Sequence, residues 1–434
     1  MAKSVHPFPA RMAPGLALTS LENLERGSVI LDPMCGSGTV LRQAVGLGHK
    51  AIGFDVDPLA VLMANVWTTP VDDVLIERRY AELMGRYYAC SDYAELPWAD
   101  GDQETSRFMK YWFAEKQAVE LRRLAAALHE LKEQQVEGEE CPALRVLSLN
   151  LSRIIVTKEQ AASLARDTSH SRPHRVATES EYDVLAGYER SLTTLRRRIR
   201  EAPPPSGATV TLGDARGLSA VVDGTVDAVV TSPPYLNAID YLRGHRMALV
   251  WLGWRVGELR QIRSGSIGAE RGLGAEERAS EIPGLVKAMV GDAAIPARHL
   301  NMVERYAVDL WRMTSEVRRV LKSEGSATFV VGNSCLKGAF IKNADGVAAA
   351  AKALGFELVD RSERDLPQGS RWRFLEVRKS PRPYSLGGSV GERAVSGAKP
   401  SAERQGGDRT SRLSWIVGVE TDVADRLGPR PSGG

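Results

Sequence analysis

Two short motifs in the chain combine residue types that suit holding a nucleoside and gripping a planar amine. The first, residues 32–39, has the sequence Asp-Pro-Met-Cys-Gly-Ser-Gly-Thr and follows the apolar run 29–31. A glycine turn after a strand lets backbone N–H groups approach a ligand closely, and the start of the next helix adds partial positive charge. The second, residues 231–235, has the sequence Thr-Ser-Pro-Pro-Tyr and follows the apolar run 226–230.

The Ser-Pro-Pro-Tyr motif has the groups needed to activate the amino group of a base. An exocyclic amine is a poor nucleophile because its lone pair is delocalised into the ring, and two acceptors on its N–H groups can localise that pair. Ser232 and the carbonyl of Pro233 fit these roles, while successive prolines fix φ and remove competing donors. Tyr235 can stack on a base rotated out of a duplex. We therefore predict that Ser232, Pro233, Pro234 and Tyr235 are catalytic, with orientation as the main source of rate.

Acidic residues end three predicted strands. Asp32 ends the first strand, and Asp55 ends the strand 51–54, at the spacing of roughly 20 residues from which a carboxylate can bind ribose hydroxyls. Asp214 follows the strand 208–212 and can accept a hydrogen bond from an adenine amino group. A glycine turn alone is equally explained as a helix N-cap. The three acids together favour a nucleoside cofactor.

The order of apolar runs predicts the elements that position these residues. Two strand–turn–helix units occupy residues 29–66, and the same alternation resumes at residue 208. We predict an α/β fold, a Rossmann-like doubly wound sheet of about seven strands, with its core in residues 1–70 and 206–380. Residues 356–359 and 372–377 are predicted to be its last two strands.

The middle of the chain departs from this alternation. We predict that residues 71–205 form a helical insertion and a candidate target-recognition region. Leucines recur at helical spacing over residues 117–134, and further helices are predicted around 143–155 and 182–199.

Two more segments lack a strong pattern. Residues 255–298 are rich in Gly, Arg and Glu and are predicted to be a long loop. Residues 381–434 are rich in Gly, Ser, Pro and Arg and are predicted to be a flexible tail, with the apolar stretch 414–417 as an exception.

Bulk properties restrict the protein class. The 434 residues carry 57 Lys and Arg against 54 Asp and Glu, so a net charge of +3 permits nucleic acid without requiring it. No apolar stretch reaches the roughly 20 residues of a membrane helix, and residues 1–7 lack the apolar core of a signal peptide. These features predict a cytoplasmic protein without a membrane span. The four cysteines form no C-x-x-C pair, so no metal site or disulfide framework is predicted.

The first motif resembles the D-P-x-C-G-S-G-T signature of the amino-group DNA methyltransferases, which use S-adenosyl-L-methionine. Met34 replaces the Phe or Pro that is usual there. The resemblance implies that this loop contacts the methionine part of the cofactor, that the second acid holds the ribose and that the third holds the adenine. The cofactor residues it implies are Asp32, Pro33, Cys35, Gly36, Ser37, Gly38, Thr39, Asp55 and Asp214.

A second resemblance lies at the N-terminus. Residues 6–11, His-Pro-Phe-Pro-Ala-Arg, resemble the H-P-x-P-A-[KR] segment that precedes the glycine turn in many such enzymes. It implies that Pro7 and Phe8 contact the methionine moiety of the cofactor. The alternative is an ordered N-terminal arm without a cofactor role.

The catalytic motif also carries information on the target base. In this family Asp-Pro-Pro-Tyr or Asn-Pro-Pro-Tyr is usual for adenine N6, whereas Ser-Pro-Pro-Tyr is more typical of cytosine N4. None of the four cysteines follows a proline, so the Pro-Cys nucleophile of cytosine-C5 methyltransferases is absent. The resemblance implies direct methyl transfer to the N4 amine of a cytosine flipped out of double-stranded DNA.

Alternatives to this interpretation remain at the level of the sequence. The first is the same chemistry on adenine N6 or on RNA, and the second is a non-catalytic regulator that binds cofactor and DNA. The resemblance is also compatible with restriction-modification or phage defence, with any restriction endonuclease as a separate chain. The sequence leaves the oligomeric state open.

Three segments compete as the region that reads DNA. Residues 169–175 and the arginine run 196–200 lie in the insertion, where arginines suit phosphates and guanine edges. A solvated helix face is the alternative explanation of the run. The segment 255–298 follows the catalytic motif and is a rival. Four polar residues just beyond Tyr235 are predicted to lie near the flipped base: Asn237, Asp240, Tyr241 and Arg243.

Overall fold

The computed structural model describes most of the chain. The described residues are 4–6, 12, 14–91, 94–135, 141–157, 160–166, 173–236, 240–269, 279–293, 295–336, 338–364 and 413–421. The predicted cofactor residues Pro7 and Phe8 lie outside them, as does the predicted strand 372–377.

Strands and helices alternate in the core, and helices alone dominate the insertion. The strands are β1 (Val29–Asp32), β2 (Lys50–Asp55), β3 (Ala165–Arg166), β4 (His174–Arg175), β5 (Ala208–Leu212), β6 (Val226–Thr231), β7 (Leu321–Val330), β8 (Ser334–Leu336), β9 (Ala339–Ile341), β10 (Phe356–Arg364) and β11 (Leu413–Thr421). The helices are α1 (Pro14–Leu21), α2 (Thr39–Gly46), α3 (Pro58–Thr68), α4 (Asp73–Ala89), α5 (Pro97–Asp100), α6 (Gln103–Trp112), α7 (Glu115–Glu133), α8 (Pro142–Ile155), α9 (Val184–Glu201), α10 (Leu242–Leu249), α11 (Val256–Gly265), α12 (Ile282–Val290), α13 (Ala297–Val320) and α14 (Asn343–Ala353).

The main sheet has the strand order β10-β11-β7-β6-β1-β2-β5. From β7 to β5 all neighbours pair in parallel, so the carboxyl ends of these strands meet at one edge. This arrangement confirms the predicted Rossmann-like α/β class. The predicted doubly wound sheet of about seven strands needs one correction: only five of the seven strands form its parallel centre. The other two are β10 and β11, since β11 pairs antiparallel with both β7 and β10.

Helices cover both faces of the sheet, as a doubly wound fold requires. On one face α1 and α2 pack against β1 through Leu21, Ile30 and Leu41, all fully buried. On the other face α12, α13 and α14 form a second core with β6 and β7. The apolar strands β1 and β6, buried on both sides, therefore lie at the centre of the sheet.

The insertion folds onto the core and shares one apolar cluster with it. Its helices α4 to α9 bury their apolar faces against α3 and against α10 and α11, which follow the catalytic motif. The helices predicted around 117–134, 143–155 and 182–199 correspond to α7, α8 and α9. The insertion thereby supports both halves of the predicted site.

The prediction of a long loop over residues 255–298 is wrong for much of that segment. Helices α11 and α12 occupy it, and α13 begins at Ala297. Val256 and Leu259 of α11 are buried against the insertion, and Ile282 of α12 is buried in the core beside α13. Burial against distant elements thus offsets a composition rich in Gly, Arg and Glu.

The predicted flexible tail contributes a strand and needs a correction. Residues 413–421 form β11, which extends the apolar exception predicted at 414–417. β-branched and aromatic residues favour the extended conformation, and β11 finds partners on both sides. The core therefore includes a piece of chain beyond residue 381.

A search of the described helices finds none long and apolar enough to cross a membrane.

Candidate active site

A cavity of about 850 Å³ opens at the carboxyl ends of the parallel strands. This volume lies within the range typical of small-molecule sites, and its position is the usual ligand site of open α/β sheets. The cavity joins the two motifs, which are about 200 residues apart in the chain. The predicted residues that line it are Asp32, Pro33, Cys35, Gly36, Ser37, Thr39, Asp55, Asp214, Ser232, Pro233, Pro234 and Tyr235.

The glycine loop, residues 32–39, is held by backbone hydrogen bonds. The Cys35 N–H donates to the carbonyl of Phe54 at 2.8 Å, and the Gly38 N–H donates to the carbonyl of Cys35 at 2.8 Å. Gly38 has a φ of 87°, and a Cβ there would lie 3.0 Å from the Cα of Ala64. Gly38 thus serves the turn and its close packing on α3 rather than the cavity wall.

Ser37 provides a test of whether the loop suits the cofactor. Its side chain is buried, and its Oγ has no hydrogen-bond partner within the described structure. A buried hydroxyl without a partner is unfavourable unless a ligand supplies one. Ser37 lines the cavity beside the start of α2, where a carboxylate is electrostatically favoured. These residues fit the amino-acid end of S-adenosylmethionine.

Asp55 connects the end of β2 to the glycine loop. Its Oδ2 accepts from the Gly36 N–H at 2.8 Å, and its Oδ1 accepts from the Asp57 N–H at 2.9 Å. Burial, followed by the charge of Asp57, raises the pKa of Asp55 to about 6. Its carboxylate faces the cavity with acceptor capacity left for ribose hydroxyls.

Asp32 lies deeper, beneath the same loop. Its side chain is buried, and its Oδ1 accepts from the Thr231 hydroxyl at 2.8 Å, which links β1 to the start of the catalytic motif. Burial raises the pKa of Asp32 to about 7, against the lowering effect of the Thr231 bond. Both motifs therefore share one buried carboxylate.

We expect Asp32 to make the stability of the unliganded protein depend on pH. Because its pKa is raised in the folded state, the stabilisation is fully present below the unfolded pKa near 3.8 and is lost as pH rises through about 7. Urea unfolding should give a free energy of unfolding about 2–3 kcal/mol lower at pH 8 than at pH 5 from this group. Asp32→Asn should flatten that slope, and an unchanged slope in the variant would refute the assignment.

Asp214 is held by an arginine that sequence reasoning missed. Arg216 donates to both carboxylate oxygens of Asp214, at 2.9 and 2.5 Å, and also bonds Asp309 of α13 at 2.5 Å and the carbonyl of Gly265 at 2.6 Å. Burial would raise the pKa of Asp214, but Arg216 outweighs burial and lowers it. The only signal in the sequence was an arginine two residues after the acid.

Three hydrogen bonds hold the Ser-Pro-Pro-Tyr motif and the following Leu236 in place. The Ser232 hydroxyl donates to the carbonyl of Val330 at 3.0 Å, at the end of β7. The buried Tyr306 donates to the carbonyl of Pro234 at 2.9 Å, and Ser334 donates to the carbonyl of Leu236 at 2.6 Å. The single proton of Ser232 is therefore directed away, and its lone pairs remain for a donor in the cavity.

Tyr235 and residues 266–269 together form part of the cavity wall. Its side chain is half-buried, and burial raises the pKa of its phenol, so the ring is neutral under ordinary conditions. Gly268 has a φ of 76°, and a Cβ on it would lie 3.4 Å from the backbone oxygen of Tyr235. Gly268 thus packs closely against the backbone of the residue whose ring is predicted to stack on a base.

Sequence reasoning also missed the pair formed by His245 with Asp57, a residue that lines the cavity. Asp57 caps α3 by accepting from the Leu59 N–H at 2.9 Å, and its other oxygen is 2.5 Å from the Nδ1 of the partly buried His245 on α10. Burial opposes the charge on His245, but Asp57 outweighs it and raises the histidine pKa. The pair connects the cavity wall next to Asp55 to α10, the helix that follows the Ser-Pro-Pro-Tyr motif.

The insertion anchors the start of the N-terminal segment. Arg153 of α8 donates to the carbonyl of Val5, and Arg198 of α9 donates to the carbonyl of Ser4 at 2.9 Å. Val5 itself is buried in the cluster shared by the insertion and α3. Met12 lines the cavity. Of the described residues that flank Pro7 and Phe8 in the sequence, Val5 thus packs against the insertion and Met12 lines the cavity.

Two arginines of the run 196–200 in the insertion form ion pairs with helix α4. Arg196 pairs with Asp73 at 2.7 Å and with Glu77 at 2.9 Å, and Arg200 reaches Asp73 at 3.3 Å. These contacts clamp α9 against α4. Of the other predicted DNA-reading stretch, 169–175, only residues 173–175 are described, and Arg175 stacks over the exposed ring of Tyr111 at 5.0 Å.

Comparison with known proteins points to methyltransferases. Residues 5–62, which contain the glycine loop, match the family described as UPF0020: RMKL-like, methyltransferase domain. The chain is 23% identical to type II methyltransferase M.BsoBI of Geobacillus stearothermophilus over 56% of this chain and 51% of that protein. It is 22% identical to type II methyltransferase M.MvaI of Kocuria varians over 76% of this chain and 77% of that protein.

One solved structure of similar type is a TehB-like SAM-dependent methyltransferase from Corynebacterium glutamicum. It is 10% identical, covers 80% of this chain and 75% of that one, and has a TM-score of 0.26, so no argument rests on it. The chain spans about half the length of M.BsoBI. The strand order and the position of the cavity define a Rossmann-like α/β fold, and the sequence matches are to methyltransferases. The matched relatives support the amino-methyltransferase resemblance.

Proposed function

We propose that this protein transfers a methyl group from S-adenosylmethionine to the N4 amine of a cytosine flipped out of double-stranded DNA. The observation that carries the proposal is the orientation of Ser232 in the cavity. Because its hydroxyl donates to the carbonyl of Val330, its oxygen can accept an N–H from a base. An acceptor at this point suits an exocyclic amine and does not suit a ring carbon.

The residues of the Ser-Pro-Pro-Tyr motif then have separate roles. Ser232 and the Pro233 carbonyl each accept one amine N–H, which draws the nitrogen lone pair out of conjugation. Tyr235 stacks on the base and, with the wall at residues 266–269, limits the access of water. S-adenosylmethionine supplies the electrophilic methyl group when bound. Asp55, Asp214 and the glycine loop orient it from the opposite side of the cavity.

DNA as the substrate rests on the motif resemblance and accords with the names of the matched type II methyltransferases. We infer in addition that the protein modifies DNA in a restriction-modification or phage-defence setting, with any endonuclease on a separate chain. The choice of cytosine over adenine rests on Ser232, since the family more often places an Asp or Asn at this position for adenine N6.

Nucleoside analysis tests the proposal. Purified protein and labelled S-adenosylmethionine are incubated with unmethylated genomic DNA or, in parallel, with RNA, and the nucleic acid is digested to nucleosides for mass spectrometry. We expect N4-methylcytosine. N6-methyladenine would overturn the base and keep the chemistry, and methylation of RNA alone would overturn the DNA substrate. Cofactor binding without any methylated product would favour a non-catalytic regulator.

A further inference from the structure

Four arginines lie on the two helices that follow the catalytic motif. Arg243 and Arg246 belong to α10, and Arg260 and Arg263 belong to α11. We call this set the arginine face. Arg243, Arg260 and Arg263 line the cavity, with 30, 59 and 39% of their side chains exposed. The face therefore lies at the opening of the cavity, where a macromolecular substrate must approach.

Among the described residues, fewer carboxylates than guanidinium groups take part in the ion pairs of the arginine face. The Oδ2 of Asp240 lies 3.1 Å from the Nε of Arg243 and also accepts a bond from Arg263. Glu104 of α6 pairs with Arg260. Two carboxylates thus pair with three of the four guanidinium groups. Glu258, the acid within α11, instead accepts from the backbone N–H of Arg255 at 2.9 Å, at the start of the helix.

Arg246 shows that the positive charges crowd one another. It is half-buried, with its guanidinium carbon 5.0 Å from the centre of the Phe108 ring. Burial and then the charges of Arg263 and Arg243 lower its pKa. Like charges held this close destabilise the folded protein slightly, and a polyanionic partner would relieve that repulsion.

The insertion offers no comparable surface in its arginine run. Arg196 is largely buried between Asp73 and Glu77, and Arg198 binds the backbone of Ser4. Arg197 is 65% exposed and lies beside Glu201, at 3.9 Å. The run therefore serves the packing of α9, and the arginine face is the stronger candidate for a phosphate partner.

We propose that the arginine face binds the phosphodiester backbone of duplex DNA on either side of the base that enters the cavity. This inference rests on the proposed function and names the surface that positions its substrate. Guanidinium groups bind phosphate oxygens bidentately, and such contacts fix the register of a protein on a duplex without reading sequence. The face adjoins Tyr235 in the wall of one cavity, so phosphate binding there would direct a flipped base toward Ser232.

The salt dependence of DNA binding tests this inference. Binding of the full chain to a short labelled duplex of mixed sequence is measured by fluorescence anisotropy over a series of KCl concentrations. Each lost phosphate contact should reduce the slope of log affinity against log salt by about 0.9, so Arg260→Gln with Arg263→Gln should reduce it by about 1.8. Arg260→Lys, which keeps the charge, should retain most of the slope.

Matched controls separate binding from folding. Arg197→Gln removes an equally exposed arginine from the insertion and should leave the slope unchanged. Arg260→Gln alone breaks only an exposed ion pair, which contributes little to stability, so the variant should fold normally. The affinity for S-adenosylmethionine should stay the same in every variant. A loss of cofactor binding in the double variant would indicate damage to the cavity and count against the assignment.

Two results would overturn the inference. One is an unchanged salt slope in the double variant together with a reduced slope in Arg197→Gln, which would move the DNA surface to the insertion. The other is a double variant whose salt slope falls for binding to single-stranded RNA but is unchanged for duplex DNA. That result would make RNA the partner of the arginine face. Because the assay needs no turnover, a protein that binds DNA through these arginines but methylates no base would refute the proposed function and keep this inference.

Discussion

Replacing Ser232 with alanine is expected to slow methyl transfer by on the order of 100-fold, the loss typical of a reacting group that is no longer held in line. The hydroxyl is exposed in the cavity and its proton is directed to Val330, so the variant removes an acceptor and little packing. The fall should appear in the rate constant of methyl transfer to DNA, measured with labelled methyl groups under single-turnover conditions. Affinity for S-adenosylmethionine, measured by calorimetry, should be unchanged.

Two further variants make this result specific. Ser232→Thr keeps the hydroxyl and should retain measurable turnover. Ser323→Ala removes an exposed serine on β7, outside the cavity, and should behave as the wild type. Full activity in Ser232→Ala would exclude the serine from catalysis and leave the Pro233 carbonyl as the sole proposed acceptor.

Replacing Asp55 with alanine should weaken S-adenosylmethionine binding by on the order of 100-fold, since each hydrogen bond to a charged group is worth about 1.5–3 kcal/mol. The carboxylate also accepts the Gly36 N–H, so its loss loosens the glycine loop as well as the ribose contact. Calorimetric titration with the cofactor in the absence of DNA measures the effect directly.

The pKa of Asp55 gives this prediction a second readout. Its pKa of about 6 means that the acceptor form is present above pH 6 and is lost below it. Cofactor affinity in the wild type should therefore fall as pH drops from 7 to 5. Asp55→Asn should bind weakly with a flatter profile, whereas Asp223→Asn, an exposed carboxylate paired with Arg319, should keep the wild-type profile. A wild-type affinity independent of pH would contradict the role of Asp55.

Local signals in the sequence were sufficient for the parts of the site that depend on one strand and its turn. The predicted strand 208–212 coincides with β5, and the glycine loop and the Ser-Pro-Pro-Tyr corner lie where strand ends must place them. Parallel pairing then brings Asp32, Asp55 and Ser232 to one edge, because carboxyl ends of parallel strands coincide. The contact between Asp32 and Thr231 follows from the same geometry.

Other parts depend on partners that are distant in sequence. Arg196 was interpreted as a possible DNA contact, but Asp73, 123 positions away, neutralises it. Helix α11 lacks a strong local pattern and is stabilised by burial of Leu259 against the insertion. Arg216 gains its importance from Asp309 on α13, which no local pattern connects to it. Charge pairing and burial at long range decide these cases.

The position of β11 in the sheet has a consequence for how the protein is made. β10 leaves the ribosome before β11, yet β11 is the strand that connects it to β7. The nascent chain therefore carries the edge of β7 uncovered until residues 413–421 have been translated, and closing so long a loop has an entropic cost. A chain that stops at residue 381 would keep every proposed catalytic residue, but the open backbone of β7 would be available for pairing with other chains.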